Sequence, residues 1–166
     1  MTFKTFFLNR LTVIYDAETR LIGAMQQMAE AATCTSLKDA ILTHLEQKKS
    51  HLAGIESVFQ LIGEEAVRKT SEAVVALLYE SHDIVEQCKG FPLINAAILS
   101  AVQKIEHYEI ASYGCLRDWA EVLGEKEAFT ILQTCLDQDL ATNQALTELA
   151  RTRSNREALN QAPIKG

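Results

Sequence analysis

Proline is nearly absent, with two residues in 166, and glycine is sparse at seven. Sandwiches and barrels draw on both residue types for their many turns, so that class is excluded and long helices are expected. No run approaches the roughly 20 uninterrupted apolar residues of a membrane span. The first ten residues lack the long apolar stretch and small-residue cleavage site of an export signal. A cytoplasmic location with no membrane association is the expectation. The four cysteines, Cys34, Cys88, Cys115 and Cys135, form no CxxC pair, and they read as small apolar residues rather than as a zinc or redox site. Basic residues are the minority charge, with 16 Lys and Arg against 22 Asp and Glu. A phosphate-binding surface needs clustered positive charge, so no nucleic-acid partner is expected. The local exception is the last sixteen residues, where Arg151, Arg153, Arg156 and Lys165 face only Glu157.

What is present is apolar periodicity: 48% of residues are hydrophobic, enough to bury the core of one domain. Helical patterns run over about 5–32, 37–62, 71–88, 93–123 and 126–151. Ser36 and Asp39 have the spacing of a capping box for the second, Gly63 and Gly124 mark helix ends, and Pro92 suits the first turn of the fourth. The expected architecture is all-α. Two antiparallel helix pairs form a four-helix bundle, and a long crossover carrying the short extra helix joins them. Residues 1–151 form one domain, and 152–166 read as a basic, loosely packed tail.

The apolar seams, traced at alternating spacings of three and four, are interrupted by polar residues. In the first helix Phe7, Leu11, Ile14, Glu18, Leu21, Met25, Met28 and Ala32 place one acid among hydrophobes. The fourth reads Leu99, Val102, Glu106, Glu109, Tyr113, Leu116, Ala120 and Leu123; the last reads Phe129, Leu132, Leu136, Asp139, Asn143, Leu146 and Ala150. The second helix is less clean. Its main seam is Ile41, Leu45, Lys48, Leu52, Ile55, Phe59 and Ile62, and beside it runs Leu42, Glu46, Lys49 and Ala53, which shares the inner surface if the apolar face is wide.

These interruptions fall near mid-helix, so Glu18, Glu46, Lys49, Glu106, Glu109 and Asp139 would meet at one height. Burying an ionised carboxylate costs several kcal/mol, and clustered acids repel one another. Protonation, a salt bridge to Lys49 or bound cations would each relieve the cost. One lysine leaves most of the negative charge uncompensated, and two divalent ions would balance it, so the arithmetic favours metal. Glu18, Glu46, Glu106, Glu109 and Asp139 are the candidate ligands. An oxygen-rich set suits iron or manganese better than zinc. His107 points roughly 100° around the helix from Glu106 and reads as a neighbour of the site. His44, His51 and His82 read as surface or packing residues. Tyr15 and Tyr113 lie one turn from the centre and read as packing, although a phenol there could hydrogen-bond or carry an electron.

The segments Ile14-Tyr15-Asp16-Ala17-Glu18, His44-Leu45-Glu46 and, above all, Ile105-Glu106-His107-Tyr108-Glu109-Ile110-Ala111-Ser112-Tyr113-Gly114 resemble the YciF/YciE stress-protein family over about residues 8–150. The resemblance implies a ferritin-like antiparallel four-helix bundle, a homodimer, and a di-iron or related metal centre between the helices. Glu18, Glu46, Glu106 and Glu109 match its acidic positions. Two departures stand out. Lys49 occupies a place where relatives often have a second acid, and Gln138, Asp139 and Asn143 stand in a more acidic stretch of the family pattern. The E-x-x-H motif of ferritins and rubrerythrins is missing. Two functions follow: a stress-associated, redox-active metal protein, or a non-catalytic dimeric interaction module whose metal site is degenerate because Lys49 replaces a ligand.

Overall fold

The Thr2 hydroxyl accepts the backbone N–H of Thr5 at 3.1 Å, satisfying one of the amides a helix start leaves orphaned. From there α1 runs over Phe3–Ala31. The computed structural model describes residues 1–160. After α1 come α2 (Thr35–Ile62), α3 (Glu72–Cys88), α4 (Ile94–Leu123) and α5 (Lys126–Leu149), then a π-helical turn (Ala150–Ser154) and α6 (Asn155–Asn160). The five expected helices are present, each within a few residues of its expected ends.

The start of α2 differs from expectation. Cys34 is its N-cap and makes no side-chain capping bond. Asn95 of α4 instead ties down the link ahead of α2, its Oδ1 accepting the N–H groups of Thr33 and Cys34 at 3.0 and 3.1 Å. Ser36 lies inside the first turn, and its Oγ accepts Arg153 Nη1–H at 3.1 Å. The chain end differs as well. Residues 152–160 continue as helix, Ser154 is buried, and Arg153 pairs with Glu157 at 2.9 Å. The remainder of the expected loose tail, 161–166, lies outside the described residues.

Gly63 and Gly124 end α2 and α4 with φ of 78° and 76°, a conformation that side chains with a Cβ rarely adopt. The tight break at Gly124 lays α5 back along α4, and the short link after α1 does the same for α2. Contacts of α2 with α5 and of α1 with α4 close the four long helices around one core, while α3 lies outside on α4 and touches α1. The crossover before α3 is anchored: Lys69 N–H donates to Thr12 O at 3.1 Å, Ser71 N–H to the buried Asp16 Oδ2 at 3.0 Å, and Ser71 Oγ meets Tyr108 OH at 2.9 Å. The architecture is therefore an all-α bundle with a long, helix-bearing crossover. Among the described residues, no helix is long and apolar enough to cross a membrane.

The seams of α1 and α4 are buried from Phe7 to Met28 and from Leu99 to Ala120. In α5 the buried positions include Leu132, Leu136, Asp139 and Leu146. In α2 the buried row is Leu37, Ile41, His44, Leu45, Lys48, His51, Ile55, Val58 and Phe59. The inner face therefore widens toward His44 and His51, the flank opposite Glu46 and Lys49.

Candidate metal centre

Each long helix delivers its polar core residues near its midpoint: Glu18 from α1; His44, Lys48 and His51 from α2; Glu106, Glu109 and Tyr113 from α4; Asp139 from α5. Glu18, Lys48, Glu106, Glu109 and Asp139 are all 0% exposed. Seam neighbours such as Ile14, Leu21, Val102 and Leu136 enclose them above and below and keep water out.

The expected ligands divide. Glu18, Glu106, Glu109 and Asp139 come together. Glu46 does not: its side chain is 69% exposed and pairs on the surface with Lys49 at 2.6 Å. The cation at the centre is Lys48, so the expected role of Lys49 in replacing a ligand is overturned as well. A helix face can broaden to either side of its seam. The apolar Leu42 favoured the flank that carries Glu46, whereas the real core takes the flank carrying two histidines. Residues 37, 41, 44, 48, 51, 55 and 58 keep alternating spacings of four and three without a break, and that period was the available signal for His44, Lys48 and His51.

Lys48 Nζ lies 2.8 Å from Glu109 Oε1, 2.8 Å from Asp139 Oδ1 and 3.7 Å from Glu18 Oε1. Burial alone would discharge this amine, but the surrounding carboxylates outweigh it and hold its pKa well above the ordinary lysine value. On the acids the balance goes the other way. Burial pushes Glu18 up to about 7, and Glu106 and Glu109 up to about 8, against the opposing pull of Lys48. Burial raises Asp139 too.

Two histidines flank the lysine. His44 Nδ1 lies 3.0 Å from Gln47 Oε1, an oxygen that also accepts the Thr142 hydroxyl at 3.0 Å. His44 Nδ1 therefore carries the hydrogen, and Nε2 turns a bare lone pair toward Glu106 Oε1, 2.5 Å away. Burial, aided by Lys48, lowers His44 to about 4. The contact is thus a neutral pair, with the proton held on Glu106 and the imidazole uncharged. On the other side His51 Nδ1 lies 3.2 Å from Glu18 Oε1 and 3.7 Å from Asp139 Oδ1. Its Nε2 meets Gln138 Oε1 at 2.8 Å. Tyr113, read first as packing with a hydrogen bond as the alternative, donates its hydroxyl to Glu18 Oε1 at 2.5 Å. Tyr15 instead donates to Glu56 at 2.7 Å. His107 points outward, its ring bonded to its own helix at Gln103 O.

The residues present fit a metal ion at one end of the cluster. Donor atoms of His44, Glu106, Glu109 and Asp139 lie within 4.8 Å of one another. A first-row ion holds such donors at about 2.0–2.2 Å, so ligands opposite one another across an ion stand up to roughly 4.4 Å apart, and these four would close by only a few tenths of an ångström to share one. Glu106 Oε2, Glu109 Oε2 and Asp139 Oδ2 are buried with no hydrogen-bond partner among the described residues, which is costly unless something else satisfies them.

Residues 2–159 match the family described as a domain of unknown function, DUF892. The chain belongs to this family. Among its relatives, protein YciF of Escherichia coli (strain K12) is 33% identical over 162 residues, covering 97% of this chain and 98% of YciF. The crystal structure of the E. coli stress protein YciF matches with a TM-score of 0.89 at 33% identity, over 93% of this chain and 98% of that one. YcfI from Rhodopseudomonas palustris matches with a TM-score of 0.86 at 31% identity, over 89% and 94%. A Xanthomonas campestris protein at 20% identity, with a TM-score of 0.75 over 96% and 97%, shares the fold. The resemblance read from the Ile105–Gly114 segment is borne out, and with it the helical-bundle class of this DUF892 member.

Proposed function

We propose that this protein is a stress-associated metal-binding bundle whose centre takes an iron or manganese ion on His44, Glu106, Glu109 and Asp139. The observation that carries the reading is the bare Nε2 of His44, fixed by Gln47, facing three buried carboxyls whose second oxygens lack partners. A bound ion of this kind would supply Lewis acidity and one-electron redox chemistry. The chain's own part is definite. Gln47 and Thr142 orient the imidazole, Lys48 pins Glu109 and Asp139, and Glu106 holds the proton that binding must displace. The stress association rests on the kinship with YciF.

The test is metal analysis of protein purified without added metal, together with anaerobic Fe(II) and Mn(II) titration followed by thermal melting. One ion per chain and a raised melting temperature are expected; no uptake and an unchanged melt would sink the reading. A second reading, a metal-free polar core, is favoured by the ion pairs of Lys48, and it is the outcome in which neither metal binds. The homodimer implied by the family resemblance is checked by light scattering of the same sample.

A further inference from the structure

Each end of the buried cluster carries one imidazole and one glutamate, but the two are filled differently. At one end His44 and Glu106 face the shared carboxyls of Glu109 and Asp139. At the other, His51 Nδ1 stands 3.2 Å from Glu18 and 3.7 Å from Asp139. Between Glu18, Glu109 and Asp139 sits the Lys48 ammonium, within 2.8 to 3.7 Å of an oxygen of each. One imidazole with three carboxylates is a ligand set for a first-row ion, and a lysine ammonium is a compact cation on a flexible stem. Glu18 Oε2 and Asp139 Oδ2 remain buried without a hydrogen-bond partner among the described residues, so the ammonium leaves oxygens at this end unsatisfied.

We propose that Lys48 is a built-in counter-ion that fills a second metal position, formed by Glu18, His51, Glu109 and Asp139, and so limits the centre to one ion. The inference rests on the reading of the His44 end as a metal site. The ammonium stands 2.8 Å from Glu109 Oε1 and Asp139 Oδ1, the oxygens a second ion would take, while Glu109 Oε2 and Asp139 Oδ2 stay without partners among the described residues for the first; the lysine therefore excludes the second ion by charge and by volume together. Its removal opens the position, with no new ligand required.

The experiment counts Co(II) per chain by anaerobic titration and native mass spectrometry in the wild type, in Lys48→Ala, which empties the position, and in Lys48→Met, which removes the charge but keeps the bulk. One ion in the wild type, two in Lys48→Ala and one in Lys48→Met are expected. One ion in the wild type and one in Lys48→Ala overturns the inference and leaves the single-ion reading standing. Two in the wild type also overturns it, because the lysine then excludes nothing. None in the wild type overturns the single-ion reading, and the inference falls with it. If Lys48→Ala folds only when Co(II) is supplied, the equivalents needed to restore the helical circular dichroism give the same count. If it does not fold at all, Lys48→Ser, which also empties the position, is titrated in its place, with two ions supporting the inference and one refuting it.

Discussion

His44 Nε2 lies 2.5 Å from Glu106 Oε1, neither atom has a hydrogen-bond partner among the described residues, and burial keeps a proton on Glu106. Burial lowers the imidazole to about 4 and raises the carboxyl to about 8, so between those values the pair is uncharged. A metal ion must displace this proton, and metal uptake should therefore release protons and tighten as pH rises toward about 8. Calorimetric titration of Mn(II) at pH 6 and pH 8, in buffers of different ionisation enthalpy, should show weaker binding and more proton release at pH 6. Equal affinity at both pH values contradicts a proton held on Glu106.

Without metal, the same groups set how stability depends on pH. Glu18, Glu106, Glu109 and Asp139 have raised values in the folded state, so above about 4.5 the unfolded chain loses protons that the folded chain keeps. Their contribution is full below the unfolded value and declines as pH climbs through about 7 to 8. His44 and His51, lowered by burial, act oppositely: the unfolded imidazoles take up protons below about 6.5, so these two destabilise the fold as pH falls toward 4. Four acids outweigh two histidines. The metal-free protein should therefore be more stable near pH 5 than at pH 8, by an amount on the order of a few kcal/mol. Urea unfolding across that range checks it, and saturating Mn(II) should reverse the trend.

The two glutamates that the sequence treated as equals, Glu46 and Glu106, separate in the structure. Three of the four long helices were legible because their seams are unambiguous rows in which a carboxylate interrupts hydrophobes. The fourth offered two flanks to one seam. Hydropathy cannot rank a flank of Leu42 and Glu46 above one of His44 and His51 when the reason for burying the histidines is their partners on other helices. Lys48 stood in the main seam from the start, but the Coulomb field that keeps it charged comes from α1, α4 and α5 and is invisible in α2 alone. Glu46→Ala should accordingly leave metal stoichiometry unchanged and move the melting temperature by no more than about 2 °C. Glu106→Gln should weaken metal binding by more than about tenfold. Equal losses in the two variants would restore Glu46 to the site.

Tyr113 shows how a residue expected to pack takes part in the polar network. Its hydroxyl donates to Glu18 Oε1 at 2.5 Å from a fully buried ring, and burial together with Glu18 holds the phenol neutral by raising its pKa. Tyr113→Phe keeps the ring contact with His51 but leaves the acceptor one donor short. A loss of about 1–3 kcal/mol is expected, or roughly 3–10 °C in melting temperature for a chain of this size. A melting temperature unchanged in the metal-free protein would mean that the hydroxyl contributes nothing to the network.

The close approach of α2 and α5 uses Gly54, where an added Cβ would stand 3.0 Å from Ile131 Cγ2. Ile131 is β-branched and has few alternative rotamers, so a larger side chain at 54 pushes the helices apart one and a half turns from Lys48. Gly54→Val should cost about 1–3 kcal/mol by overpacking and weaken metal binding by spreading the α2 and α5 ligands. Gly23 gives the control: it lies in α1 with nothing within 4 Å of an added Cβ. There Gly23→Ala should gain about 0.5–1 kcal/mol from helix propensity alone and leave binding as it was. Chemical denaturation and Mn(II) titration of the two variants read both effects. If Gly54→Val binds Mn(II) as tightly as the wild type, the close approach of α2 and α5 serves packing and does not position the ligands.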